Sequence, residues 1–135
     1  MTDAPAILRW IFGAAVAACL PSRVVGPALP PRPDGRIVVV GAGKGAAAMA
    51  AAAEAAWGDR LSGVVVTRYG HGAPTQGIEV IEAQHPLPDA AGLDAAQRAL
   101  EAVSGLGERD TVLTLLSGGG SALWSAPLAP MAHRR

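Results

Sequence analysis

Three runs of the chain are apolar without polar alternation, and each opens directly into a cluster of glycine or short polar residues. They are Arg36-Ile37-Val38-Val39-Val40-Gly41, Gly63-Val64-Val65-Val66-Thr67 and Thr111-Val112-Leu113-Thr114-Leu115-Leu116, with a shorter strand near Ile78 to Glu82. Strands buried on both faces of a parallel sheet read this way. Between the first two lies an alanine-rich helix ending near Trp57. Before the last lies a helix from Ala90 to Ser104, with Asp89 as N-cap and Leu93, Ala96, Leu100 and Val103 as the predicted apolar face. Near the N-terminus Leu8, Ile11, Phe12, Ala15 and Cys19 recur at helical spacing, with Asp3 and Pro5 placed to start a helix and Pro21 to stop it.

The pattern predicts an α/β fold: a Rossmann-like parallel sheet with helices on both faces. It occupies residues 29–127, preceded by an N-terminal helix and proline-rich connector over 1–28 that packs on it, and followed by an irregular tail over 128–135. Hydrophobic residues make up 50% of the 135 and aromatic ones only 4%, so the core is built from Ala, Val, Leu and Ile. Eleven Lys and Arg balance eleven Asp and Glu, which leaves no field for nucleic acid or anionic lipid. The lone Cys19 excludes an internal disulfide and a cysteine-rich metal site, and suits a reducing cytoplasm. The stretch Trp10 to Leu20 ends in a shape like a lipoprotein cleavage box. With Asp3 beside Arg9 it lacks a positive leading region, and it is too short to span a bilayer, so a helix of a soluble domain is the better reading.

The candidate chemistry lies in the loops that follow the strands. In a parallel sheet those loops share one edge, where open α/β folds place ligands. Gly41-Ala42-Gly43-Lys44-Gly45 fits a dinucleotide or phosphate turn, in which Gly41, Gly43 and Gly45 bring backbone N–H groups to an anion and Lys44 adds a full charge. It is not a Walker A loop, because Gly45 stands where Ser or Thr is needed. An acidic residue expected after the second strand for a ribose is replaced by Arg68, which weakens an NAD reading but leaves NADP open. Ser117-Gly118-Gly119-Gly120-Ser121 reads as a phosphate cradle. A hydrolase elbow is disfavoured, since Leu123 occupies the place of its second glycine. His71, His85 and Asp89 are substrate candidates, although Asp89 is first of all a helix cap and neither histidine has the company that a metal site needs.

Taken in order, Val40-Gly41-Ala42-Gly43-Lys44 with Met49-Ala50, then Tyr69-Gly70-His71, His85-Pro86-Leu87-Pro88-Asp89 and Ser117-Gly118-Gly119-Gly120-Ser121-Ala122-Leu123 resemble the N-terminal domain of class II glycerate kinases, from about Ala6 to Pro127. Some members of that family carry the label hydroxypyruvate reductase. The resemblance implies transfer of the γ-phosphoryl of ATP, with Mg²⁺, to the 2-hydroxyl of D-glycerate. It makes Lys44 the active-site lysine and the 117–121 loop a phosphate site, with Arg68, His71, His85 and Asp89 as looser substrate contacts. It further implies an incomplete first domain, a missing C-terminal domain and a tail, Met131 to Arg135, foreign to the family. Little activity is then expected of the chain unaided. A homo-oligomer is compatible with this reading, and the alternatives are an NAD(P)-dependent reductase module and a non-catalytic remnant.

Overall fold

The computed structural model describes residues 3–58 and 60–126; the predicted tail at 128–135 lies outside them. Four strands, β1 (Ile37–Ala42), β2 (Leu61–Arg68), β3 (Ile78–Ala83) and β4 (Thr111–Leu116), pair in parallel in the order β3-β2-β1-β4. β1 is buried along its whole length, as its unbroken apolar run demands. Helices α1 (Ala4–Ala18), α2 (Pro21–Ala28), α3 (Ala46–Trp57), α4 (Ala90–Ala102) and α5 (Gly120–Leu123) complete the fold.

Alternation along β1 divides the core in two. Ile37 and Val39 pack with Val65, Ile78 and Leu115 beneath α3, while Val38, Val40 and Val64 pack beneath α4. The sheet is thus covered by α2 and α3 on one side and by α4 and α5 on the other, which is the expected doubly wound arrangement. The chain runs outward from β1 to β2 and β3, then returns through α4 to β4 on the far side of β1. The winding therefore reverses between β1 and β4, which puts the topological switch point at the C-terminal ends of these two strands.

Four elements depart from the sequence expectation; in β4, the last along the chain, the run read as buried on both faces exposes Val112 (44%) and Leu116 (60%). Pro21 does end α1, but it also starts α2 as its first residue, where a missing N–H costs nothing. α2 lies on α3, with Val25 buried and Gly26 3.5 Å from the Ala56 Cβ when given a Cβ of its own. α1 is capped by Asp3, whose side chain accepts from the Ala6 N–H at 3.1 Å, yet it buries no residue. Its predicted stripe stays in solvent, with Leu8 66% and Phe12 72% exposed. Together α1 and α2 form a stretch, Ala4–Ala28, long and apolar enough by length and composition to cross a membrane, but its last eight residues, α2, are docked on α3 through Val25.

The buried face of α4 is the third correction. Gly92, Ala95, Ala96 and Ala99 face the sheet, whereas Leu93 is 38% and Leu100 64% exposed. The helix lies so near its neighbours that a Cβ on Gly92 would come 2.8 Å from the Leu123 carbonyl oxygen, so only small residues fit beneath it.

β2 and β3 are parallel yet joined by a helix-free segment between Arg68 and Ile78, shorter than such crossovers usually are. Glu54 on α3 holds its return. Its carboxylate accepts the N–H groups of Gln76, Gly77 and Ile78 at 2.8, 2.9 and 3.0 Å. At the opposite end of the sheet Asp110 accepts from Gly107 N–H and pairs with Arg36 at 2.9 Å, tying the turn before β4 to the start of β1. The Gly107 amide first, and the Arg36 guanidinium second, hold Asp110 below the usual carboxylate range.

Two outcomes follow. Glu54→Ala leaves three amides without their acceptor and is expected to lower the unfolding free energy by about 2 kcal/mol, read as a lower denaturant midpoint. Asp110 is depressed in the folded state, so its contribution is complete above the ordinary Asp range and fades as pH falls through its lowered value. Asp110→Asn should flatten the acid limb of the thermal-stability profile, and an unchanged limb would remove this carboxylate from the account.

Candidate active site

The two glycine turns are hydrogen-bonded to each other. Lys44 N–H donates to the Gly118 carbonyl at 2.9 Å, and Gly45 N–H donates to Ser117 Oγ at 2.9 Å. Ser117 N–H in turn donates to the Ala42 carbonyl at 3.0 Å, continuing the β1–β4 ladder into the turns. Gly43 makes the approach feasible. It has φ 132°, and a Cβ there would collide with the Ser117 side chain and carbonyl. Thr67, fully buried at the end of β2, closes the other side by donating from Oγ1 to the Lys44 carbonyl at 3.3 Å.

The amides separate the roles of the two loops. Gly43 N–H donates to the Val66 carbonyl at 3.1 Å and Ala46 N–H to the Gly43 carbonyl at 3.0 Å. With Lys44 and Gly45 already engaged, the first turn has no amide left for a ligand. Gly41 is not at the rim either: it lies inside β1, pressed against the backbone of Leu115. Gly41, Gly43 and Gly45, expected from the sequence to grip an anion, here brace the sheet and the second turn. By contrast, the N–H groups of Gly118, Gly119, Gly120 and Ser121 donate to nothing among the described residues. Gly119 sits at φ 94° as N-cap of α5, a left-handed position that turns successive amides into a concavity.

Two side chains border this concavity. Lys44 is exposed, and its Cε lies 3.8 Å from a Cβ position at Gly118 and 3.5 Å from one at Gly119. Half-buried His85 reaches the same glycine, with Nε2 2.8 Å from the Gly119 Cβ position. The central glycine is thus required twice, by its φ and by the ring against it. The structure brings together Lys44, His85 and residues 117–121 at the C-terminal ends of β1 and β4.

The remaining candidates stand apart from it. Arg68 ends β2, exposed. His71 is also exposed, and its backbone is bound by Glu82, whose Oε1 accepts the N–H groups of His71 and Gly72 at 3.1 and 2.8 Å. Neither side chain makes a hydrogen bond with the glycine turns. Asp89 is the N-cap of α4: Oδ1 accepts from Gly92 N–H at 3.0 Å and Oδ2 from the Tyr69 hydroxyl at 3.0 Å. The Gly92 amide above all, with help from Tyr69, holds Asp89 below the usual carboxylate range, and the same bond raises the Tyr69 hydroxyl. Both oxygens are spent on the fold. The bonds of Thr67, Glu82 and Tyr69 escaped sequence reasoning because their partners are distant in sequence, although Tyr69 stands in a motif already singled out. Among the described residues no three His, Cys, Asp or Glu side chains gather into a set that could hold a metal. Concavities of about 530 and 510 Å³ lie instead at the opposite edge beside Arg36 and Arg98, and between α2 and α3; neither is lined by the turns.

A family model described as Domain of unknown function (DUF4147) matches residues 7–134, reaching into the tail set apart above. A protein of Agrobacterium vitis, provisionally named a hydroxypyruvate reductase, is 56% identical over 93% of this chain and 29% of its own length. The D-glycerate 2-kinase of Thermotoga maritima is 45% identical over 84% of this chain and 28% of its own length. A crystal structure of glycerate kinase from Thermotoga maritima superposes with a TM-score of 0.78 at 44% identity, over 86% of this chain and 28% of that one. The chain spans less than a third of the length of these relatives. It belongs to the DUF4147 family, and its four-stranded α/β fold matches the N-terminal domain of glycerate kinases.

Proposed function

We propose that this chain is a fragment of an ATP-dependent glycerate 2-kinase and supplies the phosphate-gripping wall of its active site. One observation carries the reading: four amides at Gly118 to Ser121 uncommitted among the described residues, the Lys44 side chain and the His85 imidazole lie together at the topological switch point. In phosphoryl transfer the protein positions the reactants and offsets the charge that spreads over the migrating group. ATP supplies the γ-phosphoryl, and its oxygens suit those amides. The Lys44 ammonium is placed to stabilise their developing charge. The bond from the γ-phosphorus to ADP breaks, a bond to O2 of D-glycerate forms, and the hydroxyl proton is released. His85 is placed to donate a hydrogen bond to an anion held at Gly119.

Mg²⁺ does not fit the described residues, because the nearby Asp89 is committed to Gly92 and Tyr69. On this reading its ligands come from the part of the relatives that this chain does not span. A reductase reading is disfavoured by the first turn, whose amides are engaged within the protein and are not available to a pyrophosphate. A cytoplasmic enzyme agrees with the single free Cys19 and with α2 docked on the domain.

The test is amide NMR of the chain titrated with ATP, tripolyphosphate and NADPH. ATP and tripolyphosphate are expected to move the resonances of Gly118 to Ser121, and Lys44→Met to weaken the effect about tenfold. Movement at Gly43 and Gly45 with NADPH alone would establish the reductase reading instead. Gly119→Ala, which strains a left-handed position and collides with His85, should abolish the response. No turnover of D-glycerate is expected from the 135-residue chain, and turnover at an ordinary kinase rate would sink the assignment to a fragment.

A further inference from the structure

Tyr69, just past the C-terminal end of β2, stands on the same edge of the sheet as the glycine turns and takes no part in their hydrogen bonds. It is the only tyrosine of the chain. Its N–H donates to the Ala83 carbonyl at 3.2 Å, and its hydroxyl donates to Asp89 Oδ2 at 3.0 Å. Asp89 is itself anchored to Gly92 N–H in the first turn of α4. The ring is thus fastened at its backbone and at its tip, yet 51% of the residue meets solvent. Beside it Gly70, at φ 75°, has no atom other than those of its chain neighbours within 4 Å of a Cβ position, so space is open next to the ring. An aromatic ring that is held still and left half in water is a surface on which another flat ring can stack.

The connection between β3 and α4 joins this ring to the concavity at 118–121. His85, near its start, lies against Gly119, and Asp89, at its end, holds the Tyr69 hydroxyl. Their Cα atoms, four residues apart in the chain, are separated by at most about 14 Å. A nucleoside triphosphate reaching from its terminal phosphate to its base covers a distance of that order. Charge gives the path a direction. Lys44 and the free amides of Gly118 to Ser121 make one end positive. At the other, the hydrogen bond to Asp89 above all, then desolvation and the negative charges of Asp89 and Glu82, hold the Tyr69 hydroxyl above its usual range. Against those two carboxylates stands the single cation of Arg68, so this end gathers no positive cluster for a phosphate but accepts an uncharged base.

We infer that Tyr69 is the platform on which the base of the nucleotide stacks, the triphosphate running along the β3–α4 connection with its terminal phosphate at Gly118 to Ser121. This deepens the kinase reading and rests on it. Stacking on an aromatic face needs no hydrogen bond from the base. The ring therefore separates a nucleotide from a bare polyphosphate without selecting one purine over another. The Asp89 bond orients the platform and does not touch the base, because both oxygens of that carboxylate are engaged by Gly92 and Tyr69.

The test is NMR of the 135-residue chain titrated separately with adenosine, tripolyphosphate and ATP. Adenosine is expected to move the ring resonances of Tyr69 and the Gly70 amide while Gly118 to Ser121 stay in place, and tripolyphosphate to do the reverse. ATP should move both sets and bind about tenfold more tightly than tripolyphosphate. Tyr69→Leu, which keeps an apolar side chain without an aromatic face, should erase that tenfold advantage, and Tyr69→Phe should restore it although the Asp89 bond is gone. Equal weakening of ATP and tripolyphosphate by Tyr69→Leu would make the ring a prop of the fold and overturn the inference. So would ATP that binds no more tightly than tripolyphosphate to the unaltered chain. Adenosine that leaves Tyr69 unmoved overturns it without any variant, and a response of Gly118 to Ser121 to tripolyphosphate in the same experiment keeps the kinase reading. In the converse case, with adenosine at Tyr69 and no response of those amides to tripolyphosphate, the kinase reading falls and the stacking of the base stands.

Discussion

Contact between the turns after β1 and β4 sets the rest of the site. Because Gly43 has no side chain, Ser117 can approach closely enough for its hydroxyl to take the Gly45 amide and its neighbour Gly118 to take that of Lys44. Each bond is modest by itself, but the two fix Lys44 at the start of α3 and fix where the next three glycines leave β4. A side chain at 43 would part the turns and separate the ammonium from the concavity at 118–121. The amides of the first turn are thus engaged within the fold, while those of the second are not.

The sheet was legible in the sequence because burial on both faces leaves a simple trace: Ile37 to Val40 and Val64 to Val66 allow no polar residue, and the structure buries them all. α4 was legible as a helix but not in its facing. A pattern search gives weight to Leu93 and Leu100, whereas the close seat of the helix selects Gly92, Ala95 and Ala99. α2 was missed because a proline that ends one helix is read as a stop, and only the packing of Val25 shows that it also begins the next.

The site was legible to a different depth at each residue. A glycine in sequence does not say whether it serves a positive φ, a close approach or a ligand, and here Gly119 serves the first two while Gly41 serves only packing. Lys44 and Ser117 to Ser121 stood out through local context alone. His85 could be named as a candidate but not ranked above His71, since what separates them is a ring against Gly119, a contact between loops far apart in the chain. Asp89 declared its capping role through position, and the Tyr69 bond that occupies its other oxygen left no trace in the sequence.

The strand that carries the open turn is also the strand without an outer neighbour. β4 is held on one side by β1 and on the α3 face by Leu115, while its other side and other face meet solvent. An edge strand lacking one row of hydrogen bonds opens more readily than a central one, and the placement of Gly118 to Ser121 is inherited from the end of that strand. Any binding measured at that turn would then carry the cost of ordering β4.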